Sequence, residues 1–232
     1  VSIGDNADLY FNGSSSFRWS SNIFRDSDRH VDDLTWYLSP GFELNIGRGL
    51  SNANFSIITR YDIVRYDELD KLNAELFHIK AMGAYQSSRL DLSASVSFDE
   101  EQSNAGEQNI DNDLLEADNF AVNFDAEYRL SPKFSVGSGV RYSEKQYVTY
   151  KDLFADREGF TIPVDVFYEW TPKVDLSFGY AYTETAVGET FRQITSNTDQ
   201  RTGAYDRSSH FFNIGARGDL LPKLAGFFKV GY

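Results

Sequence analysis

The stretch Leu34-Thr35-Trp36-Tyr37-Leu38-Ser39-Pro40-Gly41-Phe42-Glu43-Leu44-Asn45-Ile46 decides the fold. Leu34, Trp36, Leu38, Pro40, Phe42, Leu44 and Ile46 fall on one side of an extended chain. Thr35, Tyr37, Ser39, Gly41, Glu43 and Asn45 fall on the other. A period of two held over 13 residues fits a long half-apolar strand and fits no helix.

The same alternation recurs outward from this segment. Leu90, Leu92, Ala94, Val96 and Phe98 repeat it, as do Phe120, Val122, Phe124, Ala126, Tyr128 and Leu130. Phe160 to Trp170 and Val174 to Tyr182 follow on even positions. Weaker members lie around Leu9–Trp19, Phe55–Ile63, Phe77–Tyr85, Phe134–Tyr142, Phe212–Leu220 and Leu224–Tyr232, and no segment reads as a helix.

Connections alternate between short and long. Short turns are expected at 48–52, 87–89, 131–133, 171–173 and 221–223, and long polar links at 22–33, 66–72, 100–117, 143–159 and 185–206. Tight turns on one side and long loops on the other is the layout of an outer-membrane barrel. Ser131-Pro132-Lys133, Thr171-Pro172-Lys173 and Leu221-Pro222-Lys223 form a degenerate turn repeat, in which Pro presets φ where no ladder N–H is needed. Propellers also repeat at this length, but their strands are shorter than the roughly 10 to 15 residues read here.

Composition limits the function. The chain has 232 residues, 41% hydrophobic and 16% aromatic, enough for one all-β domain over 1–232. A net charge of −13 argues against nucleic acid, whose phosphates need a basic face. Without cysteine there are no disulfides or thiol sites, and 3 His make a His-rich metal site improbable, so no cofactor or metal site is expected. No apolar run approaches the roughly 18 residues of a spanning helix, and mean hydropathy is −0.44. A barrel escapes that criterion because only alternate residues face lipid. The start at Val1-Ser2-Ile3-Gly4-Asp5 carries no leader pattern, so a cleaved signal or an excised segment is expected.

The reading is an all-β, antiparallel up-and-down transmembrane β-barrel with about 11 strands visible, truncated from an even-stranded barrel of about 12 or more. Trp19, Trp36, Tyr128, Tyr142, Tyr168, Trp170, Tyr180 and Tyr182 are the candidate lipid-interface aromatics. Candidate lumen-lining residues are Arg18, Glu43, Arg60, Asp62, Lys80, Asp91, Asp125, Glu127, Arg129, Arg141, Asp165, Glu169, Asp175, Arg217 and Lys229, with His78 and Asp219 beside them. Such charges select ions or bind a polar solute, or else pair across the lumen and fill it.

Asn22-Ile23-Phe24-Arg25, an acidic link, and Leu38-Ser39-Pro40-Gly41-Phe42-Glu43-Leu44 resemble the start of the beta-barrel porin 2 family, and the later Pro-Lys hairpins are similar. The resemblance implies a Gram-negative outer-membrane protein with a porin-like role tied to exopolysaccharide export. The implied partners are outer-membrane lipid and polysaccharide or small polar solutes; oligomeric state is left open.

Other chemistry reads weakly. Glu100, Glu101, Glu107, Asp111, Asp113, Glu116 and Asp118 make one link acidic, but without a calcium-loop pattern they read as a solvated loop. His30 and His210 fall near the long-link rim beside Asp28, Asp32, Asp206 and Ser209, a proximity expected by chance, so no enzymatic activity is expected. Glycines inside the strands suit close packing or bending, not a phosphate loop. Two further readings stand beside the porin-like one. One is a structural or adhesive barrel with a filled lumen. The other is a soluble secreted β-sandwich or propeller that binds glycans.

Overall fold

A computed structural model describes residues 1–25, 28, 30–47, 52–103, 113–195, 198–221 and 224–232. The expected turn residue Arg48, the loop acids Glu107 and Asp111, and Pro222 and Lys223 of the third turn repeat lie outside these.

Alternation becomes a single antiparallel sheet. After the two-residue β1 (Ser2–Ile3), long strands follow in sequence: β2 (Ala7–Ser20), β3 (Asp33–Ile46), β4 (Ala53–Tyr66), β5 (Ala74–Gln86), β6 (Leu90–Ser103), β7 (Leu115–Ser131), β8 (Phe134–Tyr147), β9 (Arg157–Thr171) and β10 (Val174–Val187). A separate small hairpin, β11 (Thr190–Thr195) and β12 (Thr198–Thr202), occupies the last long link, and β13 (Tyr205–Leu221) and β14 (Leu224–Gly231) complete the sheet. Each strand pairs with the next, β13 taking its place beside β10. Eleven of the strands are the long alternating segments read from sequence. Among the described residues no pairing joins β14 to β1 or β2, so the sheet is open along that seam.

Turn chemistry sets the register at the short-turn end. Pro132-Lys133 and Pro172-Lys173 are two-residue connections, and Ser131 and Thr171 each accept at Oγ from the backbone N–H two residues on. Ser87 closes the β5–β6 turn by accepting from the Leu90 N–H through Oγ.

Ladder pairing carries the two faces around the sheet. Leu38 opposes Ile63, Ile57 opposes Ala81, Val96 opposes Val122, Phe124 opposes Val140, Val166 opposes Phe178 and Phe178 opposes Ile214. This apolar face points outward: Trp36 is 37% exposed, Phe42 41%, Phe124 41% and Val166 40%. A soluble sandwich would have driven these four side chains into one dry interior. The opposite, polar face is concave. Arg217 on β13 reaches Glu127 on β7 at 2.6 Å, although four interstrand steps of about 4.8 Å put them roughly 19 Å apart along the sheet. Only a sharply curved sheet brings them together.

The dry core lies elsewhere, at the long-link end. Phe24, Leu72 and Leu114 from three different links pack with Val64, Tyr66 and Ala74 at the ends of β4 and β5. The buried Asp33 carboxylate accepts from the N–H groups of Leu34, Glu68 and Leu69, and so fastens the β4–β5 link to the start of β3. That link contains a single turn of 3₁₀ helix, Asp70–Leu72. The long links are polar in composition, yet three of their few apolar residues, Phe24, Leu72 and Leu114, find one another.

Candidate functional site: the concave polar face

Register places every candidate lumen residue on the concave side. Arg18 pairs opposite Thr35, Glu43 lies on the same side of β3, and Arg60 opposes His78 and Gly41. His78 opposes Asp99, Asp91 opposes Glu127, Glu127 opposes Gly137, and Gly137 opposes Asp165. Asp165 opposes Gly179, Asp175 opposes Arg217, and Gly215 opposes Lys229.

Four groups form among them. Arg217 donates two hydrogen bonds to Glu127, at 2.7 and 2.6 Å, and a third to Asp175 at 3.0 Å. Its guanidinium carbon lies 3.6 Å above the Phe167 ring, which is itself buried. Ser135 donates to Glu127 at 2.5 Å, and Gly137 leaves the space that the Phe167 ring edge fills. Lys229 bonds Asp165 at 2.8 Å and Arg141 bonds Asp125 at 3.1 Å.

On β4 Arg60 contacts Asp62 at 2.9 Å. His78 bonds Asp99 through Nδ1 at 3.0 Å, while its Nε2 lies 3.1 Å from Asp62 without hydrogen-bond alignment. Glu43 accepts from Asn45 at 2.6 Å. Arg18, Lys80, Asp91, Arg129 and Glu169 make no ion pair among the described residues. Beyond the apolar band, Lys145 bonds Glu101 at 3.0 Å across β7 and, helped by Asn119, holds its carboxyl below the usual carboxylate range.

Between these groups lies a cavity of about 240 Å³ bordered by Asp91, Asp125, Glu127, Arg141, Asp165 and Phe167. A second, of about 150 Å³, opens at the long-link end between Arg18, Asn22, Thr35, Tyr37, Tyr66 and Leu114. No cluster of metal-ligating side chains occurs among the described residues.

The outward face carries the aromatics in two levels. Tyr128, Tyr168 and Trp170 lie toward the short-turn end; Trp19, Trp36, Tyr142 and Tyr182 lie toward the long links, and Tyr180, between the two levels, sits at mid-strand. Tyr142 donates to Glu144 and Tyr182 to Glu184, each at 3.0 Å, so the hydroxyls turn to the polar margin beyond the band. Tyr180 bonds His210 at 2.8 Å on this same face.

The Asp62–His78–Asp99 group went unnoticed in sequence, since residues 62, 78 and 99 meet only through the β4–β5–β6 register. Phe167 did leave a signal: it is an apolar residue on the polar parity of β9.

No family model matches the chain, and no curated protein does. Solved structures similar to it are outer-membrane proteins. The hemophore receptor HasR of Serratia marcescens, solved with its hemophore HasA and heme, superposes at a TM-score of 0.54 with 9% identity over 95% of this chain and 39% of its own. The ferric-catecholate import receptor Fiu of Escherichia coli gives 0.48 and 10% over 96% and 49%; OmpT, an outer membrane protein of Vibrio cholerae, gives 0.47 and 13% over 88% and 74%. The chain thus spans less than half the length of the two receptors. The fold is that of the outer-membrane β-barrels, an up-and-down antiparallel sheet curved around a polar interior.

Proposed function

We propose that this chain sits in the bacterial outer membrane as a barrel wall and provides a porin-like passage for polar solutes, with no catalytic step of its own. One observation carries the reading: a continuous apolar face is exposed around the sheet while the concave face is lined with charges. Exposed apolar area of this extent is stable against hydrocarbon and costly against water. Arg18, Lys80 and Asp91, free of ion pairs among the described residues, supply charges that a passing solute meets. Exopolysaccharide is the solute class implied by the resemblance of 22–44 to the beta-barrel porin 2 family.

A second reading, a filled structural barrel, draws on the Arg217–Glu127 tie, which occupies part of the interior. Against catalysis, His210 is held by Tyr180 on the outward face, and His78 is flanked by carboxylates with no nucleophile bonded to it. The test is reconstitution into planar bilayers. Discrete ohmic steps support passage; a protein that inserts and shows none in any variant supports the filled barrel.

A further inference from the structure

We infer that the Arg217–Glu127 tie is the constriction of this barrel, narrowing the interior at its short-turn end and setting which ions pass. The inference rests on the passage reading and specifies the residues that regulate it.

The geometry is that of a strut. Both residues lie on the concave face near the turns at 132–133 and 172–173, and they join strands separated by β8, β9 and β10. A guanidinium held in two parallel hydrogen bonds has a fixed direction, unlike a single point-charge contact. Asp175 fixes the third nitrogen, and Phe167 supports the planar face from below. The floor is made of small residues: Gly137 and Ser135 on β8 and the buried Ser177 on β10 leave room for long side chains to lie across the sheet. Gly218, directly after Arg217, has φ +117, and a Cβ there would stand 2.0 Å from the Lys173 carbonyl oxygen. Glycine is therefore required where the backbone aims Arg217 inward.

The strut also balances charge. Without Arg217, Glu127 and Asp175 would face the passage as two uncompensated carboxylates. Without Glu127, the guanidinium would retain only Asp175. The intact cluster of Glu127, Asp175 and Arg217 carries one net negative charge, so the two truncations open the same gap but shift the local charge in opposite directions, to two negative charges without Arg217 and to a neutral pair without Glu127, which a purely structural role does not anticipate.

The test is single-channel conductance and zero-current potential of the full chain in planar bilayers under a salt gradient, for wild type, R217A and E127A. R217K, which keeps the charge but loses the two-pronged fit, covers the case in which a truncation fails to fold. The expected result is a several-fold rise in conductance for both truncations, R217A shifting toward cations and E127A toward anions, with R217K intermediate. A silent wild type with conducting variants also supports the strut, as a closed gate. Conducting wild type and variants with equal conductance and selectivity would overturn the strut and leave the passage standing. Silence from all four proteins would overturn both.

Discussion

Arg217 and Glu127, 90 positions apart in sequence, form a two-pronged ion pair across three intervening strands with oxygen–nitrogen distances of 2.7 and 2.6 Å. Their side chains are roughly one third exposed, so water screens part of the attraction. A double-mutant cycle between R217A and E127A, read by urea unfolding of the reconstituted protein, is expected to give a coupling of about 1 kcal/mol, the upper end for a solvent-screened ion pair. A coupling indistinguishable from zero would mean that the pair does not hold the curved sheet.

Gly218 supplies a backbone prediction. G218A forces a non-glycine residue to φ +117 and presses its Cβ onto the Lys173 carbonyl. A loss of about 1–3 kcal/mol is expected, together with loss of the Arg217 coupling, because the strut is then aimed elsewhere. Unchanged stability would show that the β10–β13 register relaxes freely around position 218.

Adjacent residues on β7 distinguish the faces. Phe124 points outward, whereas Asn123 lies on the concave side and donates to Ser95 at 3.3 Å. F124R is expected to cost about 2–4 kcal/mol of stability in bilayers, as for an arginine at mid-membrane on a barrel's lipid face, while N123R costs little. The reverse ranking would invert the assignment of inside and outside.

Leu72 tests the dry cluster at the long-link end. It is 1% exposed and packs with Phe24, Val64 and Leu114. L72A is expected to lose about 2 kcal/mol locally and to speed proteolysis within 22–32 and 66–72, with the strands still protected. Cleavage at the wild-type rate would mean that the cluster does not secure these links.

The strands were legible because a period of two states the faces directly. Leu34 to Ile46 reads the same in the sequence as in the sheet, and the alternating link lengths gave the up-and-down order. The pairings inside the curve were not legible. Which carboxylate meets Arg217 depends on how tightly the sheet bends, and no local pattern encodes a chord from β13 to β7. Departures from alternation were the overlooked clue. Phe167, Val64, Tyr66 and Ala74 occupy polar-parity positions, and each is buried, under the strut or in the link cluster. The β11–β12 hairpin and the short 3₁₀ turn were missed because neither carries an extended repeat.

The central claim concerns what the apolar face touches, and the three tryptophans report on it, since Trp19, Trp36 and Trp170 all lie on that face. Fluorescence should be measured in vesicles whose lipids carry bromine at defined depths. Quenching strongest with bromine just below the headgroups, and weak with aqueous iodide, is the predicted result. Indifference to brominated lipid at every depth would contradict it and return the chain to water.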